Sequence, residues 1–203
     1  MSSNQNIVVR GSGINDGKFP TRDGGRNTKV YVQWQGMLRR CEGKYKENRP
    51  TYAGVTCSET FKSYSYFYEW CQTQIGFGNV DNNGRFWHLD KDILVQGNKL
   101  YSEDTCCFVP QRVNSLIVKP KINISPFYLG VTKQKMTGKF LARCKIGEGK
   151  RKFLGSFHTP EEAFQAYKTF KESYIKQVAD EYKDQLDPRA YEALMNYEVN
   201  LDD

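Results

Sequence analysis

Three side chains capable of polar chemistry alternate along one short segment near the middle of the chain. His88, Asp90 and Asp92 lie two residues apart, and a strand turns every second side chain to the same face. Asn114 follows after a loop and a second apolar segment, where a short helix is predicted to open. Carboxylate and amide oxygens suit one hard cation such as Mg²⁺. The segment therefore predicts a site for a divalent cation, which could stabilise the charge that develops on a cleaved phosphodiester.

The same side chains also have purely structural interpretations. By its ordinary pKa, His88 is the natural proton acceptor near neutrality, but it could equally be a simple hydrogen-bonded side chain. Asp90 and Asp92 could be turn or cap residues after the strand, and Asn114 could hydrogen-bond a turn. These alternatives stay open on the sequence alone.

Helices and loops are expected to position this segment. The apolar face of Val30, Trp34 and Cys41 predicts one helix, and a second is predicted from Glu59 or Thr60 to Gln74. Residues 76–85 are predicted to form a loop. After the segment, a cap at Asp187-Pro188 predicts a short final helix.

The second half of the chain has the pattern of a small sheet covered by one helix. Strands are predicted over Phe127–Val131, Lys139–Ile146 and Arg151–Phe157, with turns between them. Thr159-Pro160-Glu161-Glu162 is a capping box, and it opens a helix with an apolar stripe from Ala163 to Val178. A three-stranded sheet with one face left to Lys and Arg suits the major groove of DNA.

Charge is concentrated on these strands. Between Phe127 and His158 there are eight cations and one anion, so this segment alone carries the formal net charge of +7 of the whole chain. Such a patch favours a polyanion, although a solvated face that only confers solubility is the alternative. The predicted DNA contacts are Lys133, Lys135, Lys139, Arg143, Lys145, Arg151 and Lys152.

Several fixed spacings in this region resemble the ethylene-response-factor (Apetala-type) DNA-binding domain. They are Gly130-Val131, Gly138-Lys139-Phe140-Leu141-Ala142, Leu154-Gly155-Ser156-Phe157 and the run from Glu161 to Tyr167. In that family the strands read DNA through Arg and Trp. Here Thr132, Lys133, Gln134 and Lys135 occupy the first-strand positions and the tryptophans are absent, so the resemblance implies phosphate contact with altered base readout.

The segment from Trp87 to Asn114 resembles the HNH (His-Me finger) nuclease core of phage-borne and homing endonucleases. The runs Trp34–Cys41, Pro50–Val55 and Leu89–Asp92 fit the same group, which often carries an ethylene-response-factor domain after the nuclease. The resemblance implies Asp90 and Asn114 as ligands of Mg²⁺ or Mn²⁺. It also implies a phage-encoded protein that acts in the cytoplasm of a bacterial host.

Two positions depart from the nuclease pattern. Lys91 stands where the family has its catalytic His, and Thr105 stands where the family has the Asn that orients this His. Lys91 would need a pKa lowered by several units to act as a base, so a cationic clamp on the scissile phosphate is easier to justify. His88 or Lys91 is therefore the expected proton acceptor or clamp, and Thr105 the residue that replaces the orienting Asn.

The remaining predictions concern termini, cysteines and environment. No apolar run reaches membrane-spanning length, and the first residues do not form a signal peptide. A four-cysteine zinc site is possible but disfavoured, because no Cys-x-x-Cys pair is present and free buried thiols in a reducing compartment fit better. The candidate zinc ligands would be Cys41, Cys57, Cys71 and either Cys106 or Cys107.

Together these patterns predict an α+β protein with a ββα-metal, HNH-like core and flanking helices, followed by a small three-stranded antiparallel sheet packed on one helix. The expected divisions are a flexible arm over 1–28, a divergent nuclease domain over 29–120, a DNA-binding domain over 121–184, and a helix and tail over 185–203. The expected function is nicking or double-strand cleavage of duplex DNA by a monomer, in the manner of a homing endonuclease. The alternative is a catalytically degenerate DNA-binding regulator or anti-defence factor.

Overall fold

The computed structural model of the protein describes residues 6–117, 127–147 and 149–200. The described chain forms two compact units. The first takes residues 6–111 and 185–190, and the second takes the described residues from 112 to 184 together with 191–200. The boundary expected between residues 120 and 121 lies outside the described residues.

The N-terminal segment, expected to be a flexible arm, folds into two short hairpins over its described part. Their strands are β1 (Ile7–Val9), β2 (Gly13–Asn15), β3 (Arg22–Asp23) and β4 (Arg26–Asn27). The backbone at Gly13 lies so close to the core that an added Cβ would come within 2.3 Å of Leu38 Cδ1. Asp16 accepts a hydrogen bond from Ser65 Oγ, which ties the segment down further. Strands of two or three residues are too short to show an alternating sequence pattern. Backbone contacts and single side chains hold them in place.

Short helices follow the hairpins in the first unit. They are α1 (Lys29–Cys41), α2 (Gly43–Glu47), a 3-10 helix (Pro50–Tyr52), and, after strand β5 (Thr56–Cys57), helices α3 (Glu59–Lys62) and α4 (Tyr64–Thr73). The prediction of α1 is confirmed, and its Trp34, Met37 and Leu38 are buried. The second predicted helix is instead divided at Ser63, whose extended backbone and Oγ cap the N-terminus of α4.

The central segment contains a two-stranded hairpin and a helix in sequence. Strand β6 (His88–Asp90) pairs antiparallel with β8 (Cys107–Val109), and helix α5 (Gln111–Ile117) comes next along the chain. Between β6 and β8, strand β7 (Leu100–Tyr101) pairs parallel with β5. The segment from Tyr101 to Val109 therefore contributes to two different sheets.

The second unit contains the three-stranded antiparallel sheet. Its strands are β9 (Val131–Lys133), β10 (Phe140–Gly147) and β11 (Lys150–Phe157), with β10 in the centre. The first strand starts later than the predicted Phe127, because Gly130 has a φ of +77° and the chain turns there. Helix α6 (Pro160–Glu181) follows, and its capping box at Thr159 and Glu162 is confirmed.

One hydrophobic cluster joins this sheet to α6. Val131, Phe140, Ala142 and Cys144 from the sheet pack with residues of the helix, which are Ala163, Phe164 and Tyr167. The last helix, α7 (Pro188–Met195), begins at the predicted Asp187-Pro188 cap. Along the described chain, no helix has both the length and the apolar character needed to cross a membrane. The protein is thus a mixed α+β protein with a small three-stranded antiparallel sheet.

Candidate functional sites

Asp90 ends strand β6 as a buried carboxylate. Its side chain is 9% exposed, and Oδ1 accepts hydrogen bonds from the backbone N–H groups of Asp92 at 2.7 Å and Ile93 at 2.9 Å. Burial and the nearby Asp92 carboxylate raise the pKa of Asp90. The turn-forming role considered for Asp90 is therefore present, and the carboxylate is held in one orientation at the strand end.

His88 lies two residues before Asp90 on the same strand. Its cross-strand partner is Val109, and its side chain is half-buried. Burial, together with the positive charge of Arg40, lowers the pKa of His88. The two-residue spacing within β6 places the imidazole on the same side of the strand as the Asp90 carboxylate.

Lys91 is buried, and two polar groups engage its ammonium group. Nζ donates to the Asp92 carboxylate and to the backbone oxygen of Asn98, the latter at 2.9 Å. It also lies 5.7 Å from the centroid of the Tyr101 ring. These contacts describe a lysine that braces the loop after β6.

The loop between β6 and β7 is fixed by Asn98, a residue that sequence reasoning placed in the loop but gave no role. Its Nδ2 donates to Lys91 O at 2.7 Å and to Leu100 O at 2.6 Å, and its Oδ1 accepts from Leu100 N at 3.0 Å. The side chain thus ties the residue after Asp90 to the start of β7. An Asn in a short loop with Gly before it was the only available signal.

Thr105 makes a different set of contacts from those expected of an orienting residue. Its Oγ1 donates to Leu100 O at 2.7 Å and accepts from Ser102 N at 3.2 Å. Oγ1 also lies 2.9 Å from Ser102 Oγ. Thr105 therefore closes the turn before β8, and the contact with the backbone of Lys91 belongs to Asn98 instead.

Asn114 lies within α5 and is half-buried. It belongs to the second unit, whereas Asp90 belongs to the first. The pairing of these two residues on one metal ion thus stays a prediction.

The chemistry of Asp90 fits a hard cation better than a soft one. A desolvated carboxylate beside a second carboxylate favours a positive partner, and carboxylate oxygens are the ligands that Mg²⁺ prefers. No group of three or more His, Cys, Asp or Glu side chains suited to one metal ion occurs among the described residues. All six cysteines, each within the described ranges, carry free thiols.

The three-stranded sheet separates its cations onto two faces. Arg143 pairs with Phe153, and Lys145 pairs with Arg151. These four side chains are exposed, and directly opposed residues of a sheet point to the same side. They alternate with the buried Ala142 and Cys144 of β10, so they form the outer face of the sheet, opposite α6.

Two of the predicted DNA contacts lie at strand positions whose side chains point to the opposite face of the sheet. Lys152 pairs with the buried Cys144, and Lys133 pairs with the buried Phe140. Lys152 Nζ lies 4.7 Å from the ring centroid of Phe170 on α6, and Lys133 Nζ lies 5.5 Å from that of Phe140. Both side chains are exposed at the sheet edges, but they turn toward the helix side.

Lys135 and Lys139 lie in the turn between β9 and β10. Both are exposed, and the turn is closed by hydrogen bonds from Gln134 N to Lys139 O at 2.8 Å and from Gly138 N to Gln134 O at 2.9 Å. They therefore extend the positive charge beyond the strands, at one end of the sheet.

Comparison with known proteins gives no independent assignment of these sites. No protein-family model matches the chain, and neither the curated proteins nor the solved structures compared with it give a match.

Proposed function

We propose that the protein is a metal-dependent DNA endonuclease that positions duplex DNA on the outer face of its three-stranded sheet. The observation that supports cleavage most directly is the location of His88 two residues from a buried, fixed Asp90 carboxylate on one strand, β6. An imidazole and a carboxylate so placed are suited to proton transfer from water and to binding of a hard cation.

Each residue has a defined role in this proposal. Asp90 would hold Mg²⁺ or Mn²⁺, which when bound supplies stabilisation of the negative charge on the phosphodiester. His88 accepts the proton of the attacking water. Lys91 and Asn98 act as positioning residues, because their contacts fix the loop that follows Asp90.

The outer face of the sheet supports the DNA-binding part of the proposal. Arg143, Lys145 and Arg151 supply phosphate contacts, and Phe153, which is 56% exposed beside Arg143, offers an aromatic surface to bases or sugars. Nicking and double-strand cleavage are both compatible with this arrangement.

A second candidate function is DNA binding without cleavage, as in a regulator or anti-defence factor. One observation favours it. Lys91 stands where the HNH nuclease pattern has its catalytic His, and its ammonium group donates hydrogen bonds to Asp92 and Asn98.

Cleavage of supercoiled plasmid separates the two candidates. We expect wild-type protein to nick or linearise plasmid with Mg²⁺ or Mn²⁺ and to lose this activity in EDTA. Asp90→Asn keeps an oxygen for the two backbone hydrogen bonds but removes the charge, so cleavage should fall by about 10²- to 10³-fold while binding persists. Asp23→Asn, at an exposed carboxylate on β3, is the matched control and should retain cleavage. Plasmid that stays intact with wild-type protein but shifts on a gel would favour the regulator.

A further inference from the structure

The first unit carries a basic cluster of its own, separate from the sheet. Residues 39–49 contain five cations and two anions, a local net charge of +3. One of the anions, Glu42, lies 3.8 Å from Arg10 Nη1 in an ion pair directed elsewhere. Among the described carboxylates, none forms an ion pair with any of the five cations. These cations are Arg39, Arg40, Lys44, Lys46 and Arg49.

Aromatic rings hold the arginines of this cluster in place. The guanidinium carbons of Arg39 and Arg49 lie 5.4 and 5.1 Å from the ring centroid of Tyr45. Tyr45 in turn packs edge-on against Tyr52, with 5.3 Å between ring centroids. Both arginines are exposed, so they are ordered by cation–π contact and yet open to a ligand.

Arg40 links this cluster to the candidate cleavage site. It is half-buried on α1 and lies near the Tyr101 hydroxyl. Lys91 contacts the same tyrosine, since its Nζ lies 5.7 Å from the centroid of the Tyr101 ring. Tyr101 is therefore shared between the basic cluster and the loop that follows Asp90.

Neighbouring cations that form no ion pair with a carboxylate repel one another, and an anion from outside relieves that repulsion. A guanidinium presents parallel N–H donors that match two oxygens of one phosphate. Stacking on tyrosine removes part of the side-chain freedom that would otherwise be lost on binding. The chemistry of the cluster thus suits phosphodiester oxygens of an extended polyanion.

We infer that Arg39, Arg40 and Arg49, which all lie beside tyrosines, form a second phosphate-binding surface for duplex DNA beside the candidate cleavage site. The inference rests on the proposed function, since it assumes that the first unit contacts the DNA strand that is to be cleaved. The outer face of the sheet would bind the duplex, and this cluster would hold the backbone near His88 and Asp90.

The test is the salt dependence of DNA binding by the full chain. Binding of a fluorescent 30-base-pair duplex in EDTA would be titrated over a range of NaCl for wild type and for Arg39→Ala with Arg49→Ala. Because each lost phosphate contact lowers the slope of log K against log salt by about 1, the double variant should lose about 2. Both side chains are exposed, and thermal melting would verify that the variant is folded.

The matched control removes the same amount of positive charge, but from two lysines that already form ion pairs with carboxylates. Lys18 and Lys62 form ion pairs with Glu69 and Glu59, so Lys18→Ala with Lys62→Ala should leave the slope close to that of wild type. Arg40→Lys keeps the charge and removes the planar fork, so it should weaken binding with little change in slope.

The outcomes distinguish this inference from the proposal on which it rests. A reduced slope for the arginine pair, beside an unchanged slope for the lysine pair, supports the surface. Wild-type slopes in both pairs overturn the second surface and leave the sheet as the DNA contact. Absence of salt-dependent binding by the wild type overturns both.

Discussion

At the scale of single residues, the loop after Asp90 is organised by an asparagine. Asn98 makes three hydrogen bonds, to the backbone of Lys91 and to both backbone groups of Leu100. Lys91 completes the arrangement by donating to Asn98 O. The orientation of Asp90 and its neighbours therefore depends on these two side chains more than on Thr105.

Asn98→Ala should destabilise the protein by about 2 kcal/mol, since Lys91 O and Leu100 N lose their side-chain partner, whereas Leu100 O keeps Thr105 Oγ1. Urea unfolding measures this difference. Asn83→Ala, in the exposed turn after Asp81, is the control and should change the unfolding free energy by less than about 0.5 kcal/mol. An Asn98→Ala midpoint equal to that of the control would contradict the bracing role.

Sequence spacing was sufficient for part of this site. His88 and Asp90 share a strand face because the two-residue alternation of a strand is a local property. The role of Asn98 was not predictable, because its partners lie seven residues back and two residues ahead in a loop whose path has no periodic signal. The contacts of Lys91 and Thr105 likewise depend on the path of this loop, which their places in the sequence do not specify.

At the scale of elements, the sheet has two chemically distinct faces. The outer face carries Arg143, Lys145 and Arg151, whereas Lys133 and Lys152 pair with buried residues of β10. A count of positive charge along the sequence cannot separate these groups. Strand register separates the two groups, so the cations of each face can be substituted independently of the other face.

Arg143→Gln with Lys145→Gln should weaken DNA binding and lower the salt slope by about 2, because two of the three phosphate contacts of the outer face are lost. Lys133→Gln with Lys152→Gln removes the same charge from the helix side and should lower the slope by less. Fluorescence anisotropy over a salt series provides the comparison. Equal losses from both pairs would indicate a diffuse electrostatic effect and would contradict the outer face as the binding surface.

The turn into β9 depends on one glycine. Gly130 has a φ of +77°, and a Cβ at this position would come within 2.1 Å of the Tyr167 ring. Gly138, with a φ of +71°, has nothing within 4 Å of the same added atom. Both glycines thus have a left-handed backbone conformation, but only Gly130 packs closely against another side chain.

Alanine at both sites separates strain from packing. Gly138→Ala should cost about 1 kcal/mol for the left-handed backbone. Gly130→Ala should cost a further 1–3 kcal/mol or so, because the side chain overlaps a ring in the core. Urea unfolding of the two variants measures this. Equal destabilisation would show that Tyr167 moves aside at no cost.

The elements that sequence predicted well have local signals. The capping box fixed the start of α6, and the apolar stripe identified α1. The division of α3 from α4 at Ser63 and the hairpins of residues 7–27 were not predicted. In both cases contacts with distant residues decide the structure, as at Gly13 against Leu38.

At the scale of the whole molecule, each of the two units carries a positively charged surface. The second unit carries the outer face of the sheet, and the first unit carries the arginine–tyrosine cluster together with His88 and Asp90. Binding by two surfaces predicts a steep salt dependence, since many phosphates are neutralised at once. It also predicts that cleavage and binding are lost by different substitutions.

The most direct measurement uses a pool of duplexes of random sequence, so that a strict target requirement cannot conceal activity. Wild type and Asp90→Asn would each be incubated with the pool and Mg²⁺, and the bound and cut molecules sequenced from the same reaction. The account predicts that wild type produces new ends next to a preferred sequence, and that Asp90→Asn enriches the same sequence without cutting it. If both proteins enrich a sequence and neither produces ends, or if both produce the same ends, the assignment of cleavage to Asp90 is wrong.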